Sequence, residues 1–566
     1  MLTLLILLPL VGAALLLRRP AHQTDAIRLE AALWTFGSAL LSVLLYLGYR
    51  PTGEPLNFAY AQRIAVAPSL GISYHVGLDG ISGLLIMLTG VLGIVSVVCS
   101  WSAVVERVKF YYICLLVLIA ALFGVFLSLD LFFFYVFFEL VLIPMYFLIG
   151  LWGGENRLYA AIKFVLYTLV GSLLMLIGLL YIAYSGETHT FNLIELYSKP
   201  FEPKAQMLAF AAMALAFGIK VPLFPLHTWL PDAHTEAPTA GSIILAGVLL
   251  KMGTYGFLRI AIPLFPGAAV AFAPLIMTLA VIGILYGALV SLVQPDIKKL
   301  IAYSSVAHLG FVMLGLFTFN LAGMQGGMIQ QINHGVSTGA LFLMIGMIYE
   351  RRHTRLMSDY GGLWTQMPLY SRLYLLTVLA SVGLPGLCGF VGEFLVLYGA
   401  AQVSMWWAFA GTVGVILAAC YLLWMMQKAF YGPVTSDAVR AMPDMSSREL
   451  WTLIPLVVLM FWLGLAPNRF LLPAEPDVQY VVDRVTAYKY AQESTQPTGA
   501  AVTPPVVTAP VATAPVAPAT EVAPVAPAPE AAPVATAPAP VAPAPVTAIL
   551  PRCRSSVAAF CTRTPA

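Results

Sequence analysis

The sequence predicts an all-α polytopic membrane protein of about fourteen transmembrane helices, with two inverted five-helix repeats (helices 4–8 and 9–13) and helices 7 and 12 broken. Three observations predict it. Hydrophobic residues make up 60% of the 566 residues and charged ones only 10%, and the mean hydropathy is +0.88, so lipid is the solvent for most of the chain. Apolar runs recur at the length a bilayer demands, about 20 residues for a core of roughly 30 Å. Two of those runs carry helix breakers beside a buried charge: Pro222 and Pro225 after Lys220, and Pro385-Gly386 before Glu393.

The first run, Met1 to Leu17, has no basic stretch ahead of it and is followed by Arg18 and Arg19, so it is read as a retained helix and not as a signal peptide. Helices 2 to 8 are placed near residues 29–48, 80–100, 111–129, 131–150, 160–184, 206–230 and 238–262. Helices 9 to 14 follow near 270–293, 299–319, 326–350, 373–400, 404–430 and 450–466. The division that results is an N-terminal three-helix region (1–110), a first five-helix repeat (111–262), a second (263–430), a last helix with an extension (431–495), and a tail (496–566). Breaks fall in the fourth helix of each five. Because five is odd, successive copies must enter the membrane from opposite sides, which makes the repeat an inverted one.

Lys and Arg collect in alternate loops, among them Arg18, Arg107, Lys109, Arg157, Lys298, Lys299, Arg351, Arg352 and Arg355. Those loops are expected to be cytoplasmic and both termini non-cytoplasmic. The net charge of +3 follows from topology, and no basic cluster with interleaved aromatics points to nucleic acid. From about Gln496 the composition turns to Pro, Ala, Val and Thr in PVAPAP-like units, a tether that cannot build a core. Cys99, Cys114, Cys388 and Cys420 fall singly in apolar runs and are read as small buried hydrophobes. Cys553 and Cys561 lie beyond the tether, where a disulfide is chemically allowed. The absence of a Gly-rich dinucleotide fingerprint, a P-loop or a CxxC pair places redox chemistry elsewhere.

The informative residues are ionisable groups deep in apolar runs, each costing about 2.5–3.5 kcal/mol at a helix centre on insertion scales. Glu139 lies nine residues, or about 13 Å, from Asp130 at its helix edge. Lys251 in AGVLLKMGTYG is similarly central, Lys220 adjoins the first break, and Glu393 follows the second by about two turns. An ion pair or a snorkelling side chain accounts for any one of them. Central placement, alternating sign and two broken helices together fit a buried polar path better. His227, His308 and His334 at membrane depth can bridge such groups as proton carriers, although a single interior His is more often just hydrogen-bonded. Asp232, His234 and Glu236, in LPDAHTEAPT, are read as turn and capping residues.

The segments FFELVLIPMYFLIGLWGGENR, KVPLFPLHTWLPDAHTEAPTAGSIILAGVLLKMGTYGFLR, QPDIKKLIAYSSVAHLGFV and GLPGLCGFVGEF closely resemble the antiporter-like subunits of respiratory complex I, over roughly residues 1–490. Within that family the chain is similar to the M-type members, which carry Glu on the twelfth helix, here Glu393. The resemblance implies a proton-translocating subunit of an NADH:quinone oxidoreductase in a bacterial inner membrane. It implies Glu139 and Lys220 as a coupling pair, Lys251 as a central relay handing on to His308, His334 and finally Glu393, and no cofactor or metal on this chain. FMN, iron–sulfur clusters and quinone are expected on other subunits, and the partners are L-like and N-like antiporter subunits and lipid. The alternative is the large subunit of a multisubunit cation/proton antiporter exchanging sodium for protons. A passive scaffold is disfavoured because apolar residues would fill a lipid-embedded spacer at lower desolvation cost.

Overall fold

A computed structural model describes residues 1–186, 189–434 and 436–495. The Pro/Ala-rich tail, with Cys553 and Cys561, lies outside the described residues, and those described fall in one compact unit. Helices occupy all fourteen segments. Among the described residues eleven are long and apolar enough to cross a bilayer by length and composition, while helix 1 (Leu2–Arg18) and the two halves of helix 12 (Pro368–Val382 and Cys388–Val403) are shorter apolar helices. Helix 7 is divided into Pro203–Lys220 and Trp229–Glu236.

Packing sorts these helices into an inner and an outer set. Thr239–Leu264 (helix 8) is buried along its whole window, and Ile297–Leu316 (helix 10) and Leu321–Arg352 (helix 11) are buried nearly as fully. Helices 2, 6 and 13 turn apolar stripes outward: Leu33, Phe36, Leu40 and Leu44 on helix 2 and Ile162, Leu166, Val170 and Ile177 on helix 6 are exposed. Such stripes are stable only against lipid or another subunit. Cys420 corrects the sequence reading, because it sits on the exposed side of Met405–Ala429, and Cys99 is only partly buried, whereas Cys114 and Cys388 are interior.

The interruptions have local causes. After Lys220, Pro222 has no amide for the Gly218 carbonyl, and that carbonyl accepts from the Leu223 amide (2.8 Å) instead. The Ile219 carbonyl, also freed, accepts from the Trp229 indole (2.9 Å), so the break is satisfied from within. In helix 12 the first half ends at Val382 and Gly383 takes φ +86°, two residues ahead of Pro385, whose ring keeps the preceding residue out of the helical region. A third irregularity escaped the sequence reading. Helix 5 is divided at Val141, two residues after Glu139, into Leu131–Leu140 and Leu142–Trp152, because Pro144 has no amide to offer Leu140.

Two further elements were not foreseen. An antiparallel hairpin, β1 (Ala59–Ala67) and β2 (Ile72–Leu78), precedes helix 3, and a mainly polar helix, Glu475–Thr495, follows helix 14 and packs on helices 8, 9 and 11.

Candidate functional site

Helix 8 is the axis of the site. It contains two π-helical stretches, Leu245–Leu249 and Phe257–Ala261, flanking the α-helical Lys251–Gly256. A π turn widens the helix and displaces its hydrogen-bond register, a device concentrated at functional sites. Here the Ala246 carbonyl accepts from the Lys251 ammonium. Lys251 is fully buried, and its Nζ also lies 2.7 Å from His334 Nδ1 on helix 11.

From Lys251 a row of titratable groups crosses the protein. The His334 and His308 rings are 5.9 Å apart between centroids, and His308 Nδ1 is 3.3 Å from Glu393 Oε1. Gln330 donates to the same carboxylate oxygen at 3.2 Å, and the Tyr421 hydroxyl lies 3.4 Å from His308 Nε2. All four members of the row are buried. The order differs from the one the resemblance implied: His334, not His308, adjoins Lys251, because His334 faces helix 8 whereas His308 faces helix 12.

Gly383 sets the far end of the row. A Cβ there would stand 2.6 Å from Glu393 Oε2, and its φ of +86° is one that L side chains rarely adopt. Gly383→Ala should therefore cost about 1–2 kcal/mol in backbone strain alone and push the Glu393 carboxylate from its place. The expected result is a lower melting temperature of the purified complex together with slower turnover. A variant matching the parent in both would show that the turn relaxes without moving Glu393.

At the other half of the protein Glu139 and Lys220 approach without touching. Glu139 is half-buried and Lys220 buried, and neither Glu139 Oε1 nor Lys220 Nζ has a hydrogen-bond partner. No ion pair joins them among the described residues, although each feels the other's charge. Lys220 instead lies 4.8 Å from the Phe138 ring centroid, a contact that partly offsets its lost hydration. His227 stands apart from the row: it lies in the break of helix 7, between Phe224 and Tyr286, with Nδ1 unpartnered.

His234 corrects the reading of LPDAHTEAPT as a turn with caps. Trp229–Glu236 is helical, His234 is fully buried, and neither ring nitrogen has a partner. Its ring stacks on Phe342 at 4.6 Å, and Lys251 and Lys298 act on it electrostatically. Beyond Phe342 opens a cavity of about 370 Å³ at the end that carries the basic loops, lined by Glu236, Lys298, Glu350, His353 and Arg355 among others. Asp232 pairs with Lys163 (2.7 Å), and Glu236 accepts from the Asn156 amide (3.0 Å). No sequence signal separated His234 from its polar neighbours, since its burial depends on helix 11 lying over it.

The arrangement can take a proton from the loop-end cavity, hold it on any of several buried bases, and pass it along helix 8 and across to Glu393. Among the described residues no group of three His, Cys, Asp or Glu side chains is gathered as a metal ion would require.

Comparison with known proteins gives four likenesses. Residues 128–418 match a family described as "NADH:quinone oxidoreductase/Mrp antiporter, TM". NADH-quinone oxidoreductase subunit M of Rhodobacter capsulatus is 42% identical over 508 residues, covering 86% of this chain and 97% of that protein. Among solved structures, a chain of respiratory complex I from Thermus thermophilus with bound NADH superposes with a TM-score of 0.79 at 37% identity, covering 86% of this chain and all of the other. A chain of the Mrp complex from Dietzia sp. shares the fold (TM-score 0.73, covering 87% of this chain and 98% of the other) at 22% identity.

Proposed function

This chain belongs to the family of membrane subunits shared by NADH:quinone oxidoreductases and Mrp antiporters, and from that premise we propose that it is the proton-translocating M-type subunit of a respiratory NADH:quinone oxidoreductase. The observation that carries the reading is the buried row Lys251–His334–His308–Glu393. A lipid-embedded spacer has no use for four adjoining titratable groups, each of which raises its desolvation cost.

In this reading a proton reaches Lys251 from the loop-end cavity by way of His234, moves to His334 and His308, and arrives at Glu393. Glu139 and Lys220 are the coupling pair. Burial destabilises both charged forms and proximity stabilises both, so a change in their separation, driven by charge movement in a neighbouring subunit, alters where the proton resides. Helix 5 is irregular beside Glu139 and helix 7 beside Lys220, which gives each residue a backbone able to shift. His227 lies off the row and serves at most the break itself. Flavin, iron–sulfur clusters and quinone belong to other subunits, the neighbours are the L-like and N-like antiporter-type subunits, and the location is a bacterial inner membrane with both termini on its non-cytoplasmic side.

The antiporter reading is the runner-up, and Glu393 favours the respiratory one, because Lys is the residue implied at that place in the antiporters. Purification in mild detergent separates them. The expected result is recovery with flavin- and iron–sulfur-containing subunits and proton uptake into vesicles driven by NADH oxidation. Recovery with small membrane proteins alone, with proton flux driven by a sodium gradient, would replace this reading with the antiporter.

A further inference from the structure

At the end of helix 8 away from the basic loops, a second group of buried charges stands outside the row. Asp79 caps helix 3, accepting from the Ser82 amide (2.9 Å), and pairs with Arg259, which lies in the second π stretch of helix 8. Asp79 is fully buried and Arg259 is 4% exposed. Arg259 Nε has no partner, so one face of the guanidinium is left for another acceptor. Asp477, also 4% exposed, faces this group from the Glu475–Thr495 helix, with the Gly80 and Leu56 amides turned toward its carboxylate. Two carboxylates thus stand against one guanidinium in a space closed by Phe58 and Tyr255, whose rings lie 5.4 Å and 5.9 Å from it.

The cluster shares helix 8 with Lys251. Arg259 lies eight positions after Lys251 on helix 8, about 12 Å at helical rise. Between them, Thr254 donates to Gln331 (2.7 Å), whose Nε2 is buried without a partner, and Tyr255 packs under Arg259. The polar groups of helix 8 therefore run on past Lys251 toward the end of the protein that carries the β hairpin.

We propose that Asp477 and Asp79, sharing the field of Arg259, form a proton-release station fed from Lys251 along helix 8, an outlet distinct from the row that ends at Glu393: the pair holds one exchangeable proton and passes it to the aqueous phase at the end opposite the basic loops. This rests on the reading of Lys251 as a proton carrier. Electroneutrality supports it, since one guanidinium balances one carboxylate and leaves the second to bind a proton or bear an uncompensated buried charge. Burial, with Asp79 adding to it, pushes the Asp477 carboxyl well above the usual carboxylate range, although Arg259 and the two amides oppose the shift. Asp79 and Arg259 act on Asp477, which in turn acts on Tyr49 of helix 2 and on Tyr255, and Tyr197, which acts on Arg259, joins this group to Arg484 on Asp477's own helix. Because the folded carboxyl binds its proton more tightly than the unfolded one, docking of the terminal helix is favoured at low pH and weakens as pH rises through the folded value.

The test uses the whole complex in inverted membrane vesicles, where the release side is the lumen. NADH oxidation and proton uptake, normalised to assembled complex, are measured while lumenal pH is varied from about 6 to about 9. The expected result is that Asp477→Asn lowers turnover about three-fold or more and abolishes its dependence on lumenal pH, while Asp477→Glu keeps the dependence with a displaced midpoint. Parental turnover and pH profile in assembled Asp477→Asn complex would overturn the proposal. If that complex does not assemble, an undisplaced midpoint in Asp477→Glu overturns it. Lys251→Met, measured in parallel, separates the two claims: loss of turnover there with no effect at Asp477 removes the release station alone, whereas no effect at Lys251 removes the relay on which it depends.

Discussion

Replacing Lys251 with Met lowers NADH-driven quinone turnover per assembled complex by about ten-fold or more, while the melting temperature of the complex stays level. The two halves of this expectation have separate origins. Methionine fills nearly the same volume with an unbranched apolar chain and removes an ammonium whose burial costs about 2.5–3.5 kcal/mol. Against that gain, the Ala246 carbonyl and His334 Nδ1 lose their partner, at about 1–3 kcal/mol for each buried polar group left unsatisfied. The terms nearly cancel, so stability changes little. Turnover has no such compensation, because proton carriage through the row needs a base between the loop-end cavity and His334, and redox turnover is coupled to that carriage. A structural lysine predicts the reverse pattern, with a lower melting temperature and near-parental turnover in the complex that survives. Thermal unfolding and NADH:quinone activity on one preparation decide between them.

Glu139→Gln has the second largest expected effect: turnover and membrane-potential formation both fall about ten-fold, assembly is retained, and Glu139→Asp keeps more of each. Glutamine preserves size and hydrogen-bonding capacity but removes the negative charge that favours protonated Lys220, each pKa unit of that coupling being worth about 1.4 kcal/mol. Geometry argues against a structural ion pair, since neither Glu139 Oε1 nor Lys220 Nζ is hydrogen-bonded and no ion pair joins the two. Charges held apart at some energetic cost are poor glue and good sensors of a third charge. Were the pair structural, Gln would lower assembly or melting temperature first and leave normalised turnover intact. Activity per assembled complex, with immunodetection of the subunit as the denominator, reads the difference.

The two predictions draw on different kinds of legibility. Glu139, Lys220, Lys251 and Glu393 stood out in the sequence because a charge inside an apolar run is anomalous wherever the helices later pack. The breaks beside Lys220 and Glu393 were equally plain, since proline's missing amide is a property of one residue. Pro144 carries the same chemistry with no charge directly beside it, yet it divides helix 5 near Glu139. His234 is obscured in the sequence for the opposite reason. Its neighbours Pro231, Asp232 and Pro238 are turn formers, and local chemistry outweighs a burial to which Phe342, more than a hundred positions away, contributes by stacking.

What the sequence determined by itself is therefore the membrane class, the run of apolar helices, the interruptions beside Lys220 and Glu393, and the four charges Glu139, Lys220, Lys251 and Glu393 set inside apolar runs. Each follows from composition, run length or a single residue's backbone chemistry. The tertiary structure alone decided that His334 precedes His308 after Lys251, that Glu139 and Lys220 stand apart, that His234 is interior, and that Asp477 returns to face Asp79 and Arg259. These are matters of which helix faces meet. Helices apolar on nearly every side show no amphipathic period to declare their neighbours, so the partner of each buried charge is fixed by packing across the fold and not by any pattern along the chain.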